Sequence, residues 1–279
     1  MRMTKAGRRA LAALIAGAVV AGSLFGSSAA SAAPPLPARM AALGDSITQA
    51  AMTCSALLSC PANSWSTGTT TSVMSQAARL RALGATELVA YNDAVSSTAS
   101  SALASQAQRA VSQGAQYVTI EIGANDACTK TVAGMTPTVM FAANVQAGLA
   151  ILASSANQPE IFVASIPNIQ RMYDLNKASF SARLTWSTLG ICQSMLANPS
   201  STKQADVDRR NSVQQRVNEY NAALAQACAA TVKCRFDNYA VANYAFTKAD
   251  ISTRDYFHPS LTGQATLAAI TWPTTQWAS

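Results

Sequence analysis

Five short apolar runs recur along the chain, each followed by a stretch with helical spacing. This alternation limits the fold more than any other feature. The runs are Arg39–Leu43, Glu87–Tyr91, Tyr117–Ile122, Ile161–Ser165 and Arg235–Tyr239. They are rich in apolar or β-branched residues, as strands covered on both faces must be. Helical segments fill the intervals. Ser72–Leu83 stops at Gly84 and Ala99–Ser112 stops near Gly114, both good C-terminal signals. Pro137 opens a helix that runs to about residue 156, and proline favours the first helical position. Asp206–Ala230 sets Val213, Val217, Tyr220, Leu224 and Ala227 on one stripe. A last helix spans about Thr262–Ile270. Such repeats join parallel strands through crossover helices. The expected fold class is α/β, a three-layer α/β/α sandwich around a central parallel sheet of about five strands.

The first 32 residues stand outside that pattern. Arg2, Lys5, Arg8 and Arg9 precede an apolar run from Leu11 to Phe25, and Ala30-Ser31-Ala32 offers small residues for cleavage. This is the layout of a secretory signal peptide. The run is too short and too rich in Ala and Gly for a comfortable membrane span, and no later stretch reads as one. Residues 1–32 are therefore expected to be a signal peptide and residues 33–279 a single domain, large enough to bury its own core.

Removing the leader changes the charge. The chain carries +7, from 20 Lys and Arg against 13 Asp and Glu, and four of the cations lie in the leader. The remainder is +3, scattered, with Arg209-Arg210 the only adjacent basic pair. That argues against a nucleic-acid surface.

An exported chain with six cysteines reads as a set of three disulfides. Close spacing favours Cys54 with Cys60 and Cys228 with Cys234, which leaves Cys128 and Cys192. The spacings match no zinc pattern, and one histidine leaves little imidazole for a metal. Neither metal nor cofactor is expected.

One segment breaks the alternation. Residues 168–204 follow the fourth strand without a clean period and carry Met172, Tyr173, Leu175, Phe180, Leu184, Trp186, Leu189 and Met195. A long excursion in a compact domain is usually functional. This one either lines an acyl pocket or covers the core as a helical insertion.

The chemistry gathers at the ends of the strands, where open α/β sheets place their sites. Gly44-Asp45-Ser46 follows the first strand and presents a hydroxyl there. As an isolated triplet it is also an ordinary turn. If Ser46 is a nucleophile with an imidazole base, that base is His258, the sole histidine. Asp255 lies three residues before His258, close enough for one turn to bring carboxylate to imidazole. Gly123-Ala124-Asn125-Asp126 follows the third strand, and an Asn there can aim its amide at a developing oxyanion. Asn92-Asp93-Ala94-Val95-Ser96-Ser97 follows the second.

Gly-Asp-Ser after the first strand, Gly-x-Asn-Asp after the third and Asp-x-x-His-Pro before the last helix occur in one order. Together they resemble the SGNH (GDSL) hydrolase superfamily, in a form similar to secreted actinomycete lipases, esterases and phospholipases. The resemblance runs from Arg39 to the last helix. It implies a flavodoxin-like α/β/α fold and hydrolysis of acyl esters without a metal. It also implies roles: Ser46 as nucleophile, His258 as base and Asp255 as its partner. The oxyanion hole would come from the N–H of Ser46, a backbone N–H in the second block and Asn125. That second block usually carries a Gly where this chain has Ser97. The N–H survives the change, but a Cβ narrows the hole and demands a compatible backbone.

The expected function is a secreted serine ester hydrolase, a lipase, esterase or phospholipase working through an acyl-enzyme on Ser46. Its expected partners are a small-molecule or lipid ester and transiently a lipid interface, with the chain acting as a monomer. Two alternatives share the scaffold. A carbohydrate O-acetyl esterase would use aromatic residues of the excursion to stack on sugars. A non-catalytic secreted binding protein would usually have lost Ser46 or His258, and both are present.

Overall fold

The computed structural model describes residues 33–278, so the expected signal peptide lies outside the described residues. Five strands form one sheet: β1 (Arg39–Gly44), β2 (Val89–Asn92), β3 (Tyr117–Glu121), β4 (Glu160–Val163) and β5 (Cys234–Phe236). All neighbours run parallel, in the order β2-β1-β3-β4-β5. The central strands are apolar throughout because helices cover both faces. Met40, Ala41, Ala42 and Leu43 of β1 have no exposed surface, and β3 is buried along its length.

Ten α-helices accompany the sheet among the described residues. They are α1 (Gln76–Ala82), α2 (Leu103–Ser112), α3 (Ala124–Ala127), α4 (Thr138–Ser154), α5 (Ile169–Asn176), α6 (Phe180–Leu189), α7 (Gln193–Leu196), α8 (Gln204–Ala229), α9 (Ala240–Asn243) and α10 (Leu261–Thr271). Helices α2, α4 and α8 pack side by side as one layer. Helices α1 and α10 are joined by a 3.0 Å bond from Gln76 Nε2 to Thr271 Oγ1. The three layers are those the alternation implies.

The differences in detail have local causes. The first helix starts at Gln76 rather than Ser72, because Met74 takes a positive φ of 49° and Ser75 caps the helix, accepting from the Ala78 N–H. The last strand ends at Phe236 because Asp237 turns the chain, its carboxylate accepting from the N–H groups of Tyr239 and Val241. One stretch, Val132–Ser154, does reach the length and hydropathy of a membrane span, contrary to the sequence expectation. In the fold, the α4 residues Phe141, Val145, Leu149 and Leu152 are buried, with the helix lying between α2 and α8. The excursion is helical: its three short helices α5, α6 and α7 bury Met172, Tyr173, Trp186 and Met195 in the core.

The six cysteines pair as Cys54–Cys60, Cys128–Cys192 and Cys228–Cys234.

Candidate active site

With the order β2-β1-β3, connections leave β1 and β3 in opposite directions across the sheet. A crevice opens beyond their carboxyl ends. Ser46 follows β1 and Asn125 follows β3, so both stand at that crevice.

The turn after β1 is built tightly. Gly44 has a φ of 143°, and a Cβ on it would lie 2.0 Å from the carbonyl oxygen of Glu121 on the neighbouring strand. Only glycine fits. Gln106, fully buried on α2, grips this glycine with its side-chain amide. Its Oε1 accepts the Gly44 N–H at 2.8 Å and its Nε2 donates to the Gly44 carbonyl at 2.9 Å. The amide thus stands in for a neighbouring peptide group where the sheet ends. Asn221 on α8 holds Ile166, beyond β4, in the same way at 2.7 and 3.1 Å. Past Gly44 the chain coils, with the Gln49 N–H on the Asp45 carbonyl and the Ala51 N–H on that of Ser46.

Ser46 Oγ lies 2.8 Å from His258 Nε2. His258 Nδ1 makes a short hydrogen bond to Asp255 Oδ2. The other oxygen of Asp255 accepts from the N–H groups of Phe257 and His258 at 3.0 and 3.1 Å. Asp255 is fully buried, Ser46 is 8% exposed, and the His258 side chain is 16% exposed. Since the carboxylate accepts at both oxygens, Nδ1 carries the ring proton and Nε2 is free to accept from the serine hydroxyl. The loop carrying this pair is closed at its base, where the Ser252 N–H donates to the His258 carbonyl at 2.8 Å.

Asn125 Nδ2 donates to the Thr98 carbonyl at 2.9 Å and, more loosely, to Asp45 Oδ2 at 3.3 Å. Asp45 also accepts the Ile47 N–H at 2.9 Å. Burial pushes Asp45 up to about 6, against the lowering influence of the Ile47 N–H and of His258. Asp126 receives the N–H and hydroxyl of Ser100, both at 2.7 Å. Burial raises its carboxyl as well, and the Ser100 bonds work against that. The loops after β2 and β3 are therefore locked to each other. Ser97 takes a φ of 66°, in the region glycine favours. Among the described residues, neither the Ser46 N–H nor the Ser97 N–H donates to another protein group. Both remain available to an incoming oxyanion.

A cleft of about 500 Å³ opens onto Ser46 and His258. Ser97 and Asn125 line it, as do Met52, Leu57 and Leu58 on one wall and Ile191 on another. The Cys54–Cys60 bond closes the loop that carries the two leucines, which are 53% and 66% exposed. The Cys128–Cys192 bond ties the loop after β3 to residues 190–192 of the excursion, which line the cleft. A smaller apolar crevice of about 20 Å³ lies beside His258, between Ile47, Ile169, Met172 and Phe257. No cluster of His, Cys, Asp or Glu with metal-holding geometry occurs among the described residues.

All five sequence-derived site residues thus border one cleft or act directly on it. Sequence reasoning missed Gln106, Glu121 and the grip of Asp45 on Asn125. Asp45 sat in a recognised motif, but nothing in the sequence tells its carboxylate from that of a turn residue.

Residues 42–266 match the model of the GDSL-like lipase/acylhydrolase family. A search of curated proteins returns no significant match. Among solved structures, the chain is similar to TesA at 16% identity, over 85% of this chain and 97% of that one, with a TM-score of 0.50. It is similar to an extracellular lipase from Streptomyces rimosus at 17% identity, over 85% and 99%, with a TM-score of 0.47. It is also similar to phospholipase A1 from Streptomyces albidoflavus NA297 at 16% identity, over 86% and 100%, with a TM-score of 0.46.

Proposed function

We propose that this chain, which belongs to the GDSL-like lipase/acylhydrolase family, is an exported serine hydrolase that cleaves lipid-like acyl esters through an acyl-enzyme on Ser46. As a family member it is a carboxylic ester hydrolase. The observation that carries the residue assignment is the continuous relay from Asp255 through His258 to Ser46 Oγ.

A serine hydroxyl is a weak nucleophile until a base takes its proton. His258 Nε2 accepts that proton as Oγ attacks the ester carbonyl carbon. Asp255 holds the ring in the required tautomer and stabilises the imidazolium. The carbonyl oxygen becomes an oxyanion, facing the free N–H groups of Ser46 and Ser97. Asn125 adds a third donor when its loose hydrogen bond to Asp45 is shared with the oxyanion. His258 then gives its proton to the departing alkoxide, leaving the acyl group on Ser46. Water, deprotonated by the same imidazole, releases the acid.

Two features support a lipid-like substrate. The cleft walls are apolar where Met52, Leu57, Leu58 and Ile191 stand, and the exposed leucines suit transient contact with a lipid interface. The aromatics of the excursion do not offer a sugar platform. Tyr173 and Trp186 are buried, and Phe180 is exposed but lies outside the cleft lining. Export is supported by the layout of residues 1–32 and by three disulfides, which persist in oxidising compartments.

The test is hydrolysis of p-nitrophenyl esters of increasing chain length by wild type, Ser46→Ala and His258→Ala. Both variants are expected to lose at least about 10³-fold in kcat/KM, and wild type to prefer chains longer than acetyl. Near-normal turnover by Ser46→Ala would refute the mechanism, and a strict preference for acetyl would refute the lipid reading.

A further inference from the structure

Glu121 is the last residue of β3 and pairs across the sheet with Gly44, the residue that opens the nucleophile turn. It is 1% exposed, and among the described residues neither of its carboxyl oxygens has a hydrogen-bond partner. The charged groups whose fields reach it are Asp45, from the turn after β1, and Asp237, from the turn after β5. Both are acids, so among the described residues no cation offsets a charge at this position. Burying an unpaired carboxylate is among the costliest arrangements in a protein, and such a group keeps its proton instead.

The neighbouring acids differ in one respect: each has donors. Asp45 receives the Ile47 N–H and the Asn125 amide and feels His258. Asp237 receives the N–H groups of Tyr239 and Val241 and the Ser165 hydroxyl. Hydrogen bonds to a carboxylate favour its charged form, so negative charge settles on these two and avoids Glu121. We infer that Glu121 is a neutral carboxylic acid in the working enzyme, so that the Asp45–Glu121 pair under the nucleophile turn carries a single negative charge, on Asp45, where it grips Asn125.

A neutral Glu121 thus leaves the charge on Asp45 undisturbed. A charge on Glu121 would push Asp45 to take up the proton, and a neutral Asp45 holds the Asn125 amide less firmly. The importance of Asn125 rests on the proposed function, whereas the protonation of Glu121 does not.

Burial raises the Glu121 carboxyl well above the ordinary carboxylate range, with the Asp45 and Asp237 charges adding to the rise. Within that window the native state holds a proton that the unfolded chain has released. Native stability therefore falls as pH rises from the unfolded value towards the folded one. Removing the carboxyl removes this loss.

The experiment measures Tm for wild type, Glu121→Gln and Glu121→Met from about pH 5 to about pH 8. Gln keeps the shape without charge, and Met brings no polar atom that could lack a partner. The expected result is a Tm gain over wild type that widens with pH in whichever variant folds. Glu121→Gln should keep kcat/KM at neutral pH within about twofold of wild type. Infrared spectra of wild type at neutral pH should show the carbonyl stretch of a protonated, buried carboxylic acid, which disappears in the variant. A Tm difference that stays constant with pH would overturn the inference, as would wild type lacking that band or a loss of about tenfold or more in Glu121→Gln. If neither variant folds, a wild-type spectrum without that band still overturns the inference. Full activity in Ser46→Ala would refute the proposed function and leave the pH-dependent Tm result standing.

Discussion

At the scale of single residues, the site depends on a few backbone positions that admit little change. Gly44 touches the facing strand so closely that no side chain can follow the Cα. Ser97 is the opposite case, an ordinary residue where glycine would sit more easily, at a φ of 66°. A left-handed non-glycine residue is strained by roughly 1–2 kcal/mol, and glycine gives back roughly 0.4–1 kcal/mol through the entropy of the unfolded chain. Ser97→Gly should therefore stabilise the protein by about 0.5 kcal/mol and raise Tm by about 1–2 °C. It keeps the N–H, so kcat should be unchanged. A clear fall in kcat would mean that the Ser97 hydroxyl, and not only its N–H, takes part. The candidate site residues stood out in the sequence because Ser46 and Asn125 follow strands in short motifs, and Asp255 and His258 share one just before the last helix. Glu121 was not. A glutamate closing a strand reads as a solvated charge, and only the packing around it reveals that no solvent arrives. Gln106 was hidden for a similar reason, since a polar residue on a helix reads as facing water.

At the scale of elements, the walls of the cleft come from segments with little regular structure of their own. Two disulfides fasten them. The Cys128–Cys192 bond spans 64 residues of sequence and joins the loop after β3 to the excursion. Replacing both cysteines with serine should cost about 4 kcal/mol by loop-entropy arithmetic, a fall in Tm of about 8–16 °C. Because residues 190–192 form a cleft wall, KM should rise more than kcat falls. An unchanged KM with a lowered Tm would make the bond a staple for the core alone. The main strands and helices were legible because a buried parallel strand and an amphipathic helix leave different periods in the sequence. The excursion was not, because α5, α6 and α7 are short and turn different faces to the core. Tyr173 and Trp186 go in while Phe180 and Leu184 stay out, which blurs any single period. Boundaries moved where one side chain redirects the chain, as Asp237 does after β5.

At the scale of the whole molecule, a sheet of order β2-β1-β3-β4-β5 fixes where chemistry can occur. Loops leaving three adjacent strands meet at one edge, and the loop before α10 brings His258 to the same place. The described ends are tied as well, with Trp277 Nε1 donating to the Pro34 carbonyl at 3.0 Å and its ring set edge-on against Tyr117 of β3. The result is a rigid frame holding a serine, an imidazole and a set of N–H donors before any substrate arrives. The most direct measurement is labelling of the purified protein with a fluorophosphonate, followed by intact mass and peptide mapping. One adduct per chain, located on Ser46 and absent from Ser46→Ala and His258→Ala, is the expected result. Labelling at another residue, or undiminished labelling in Ser46→Ala, would contradict the assignment of Ser46 as the nucleophile.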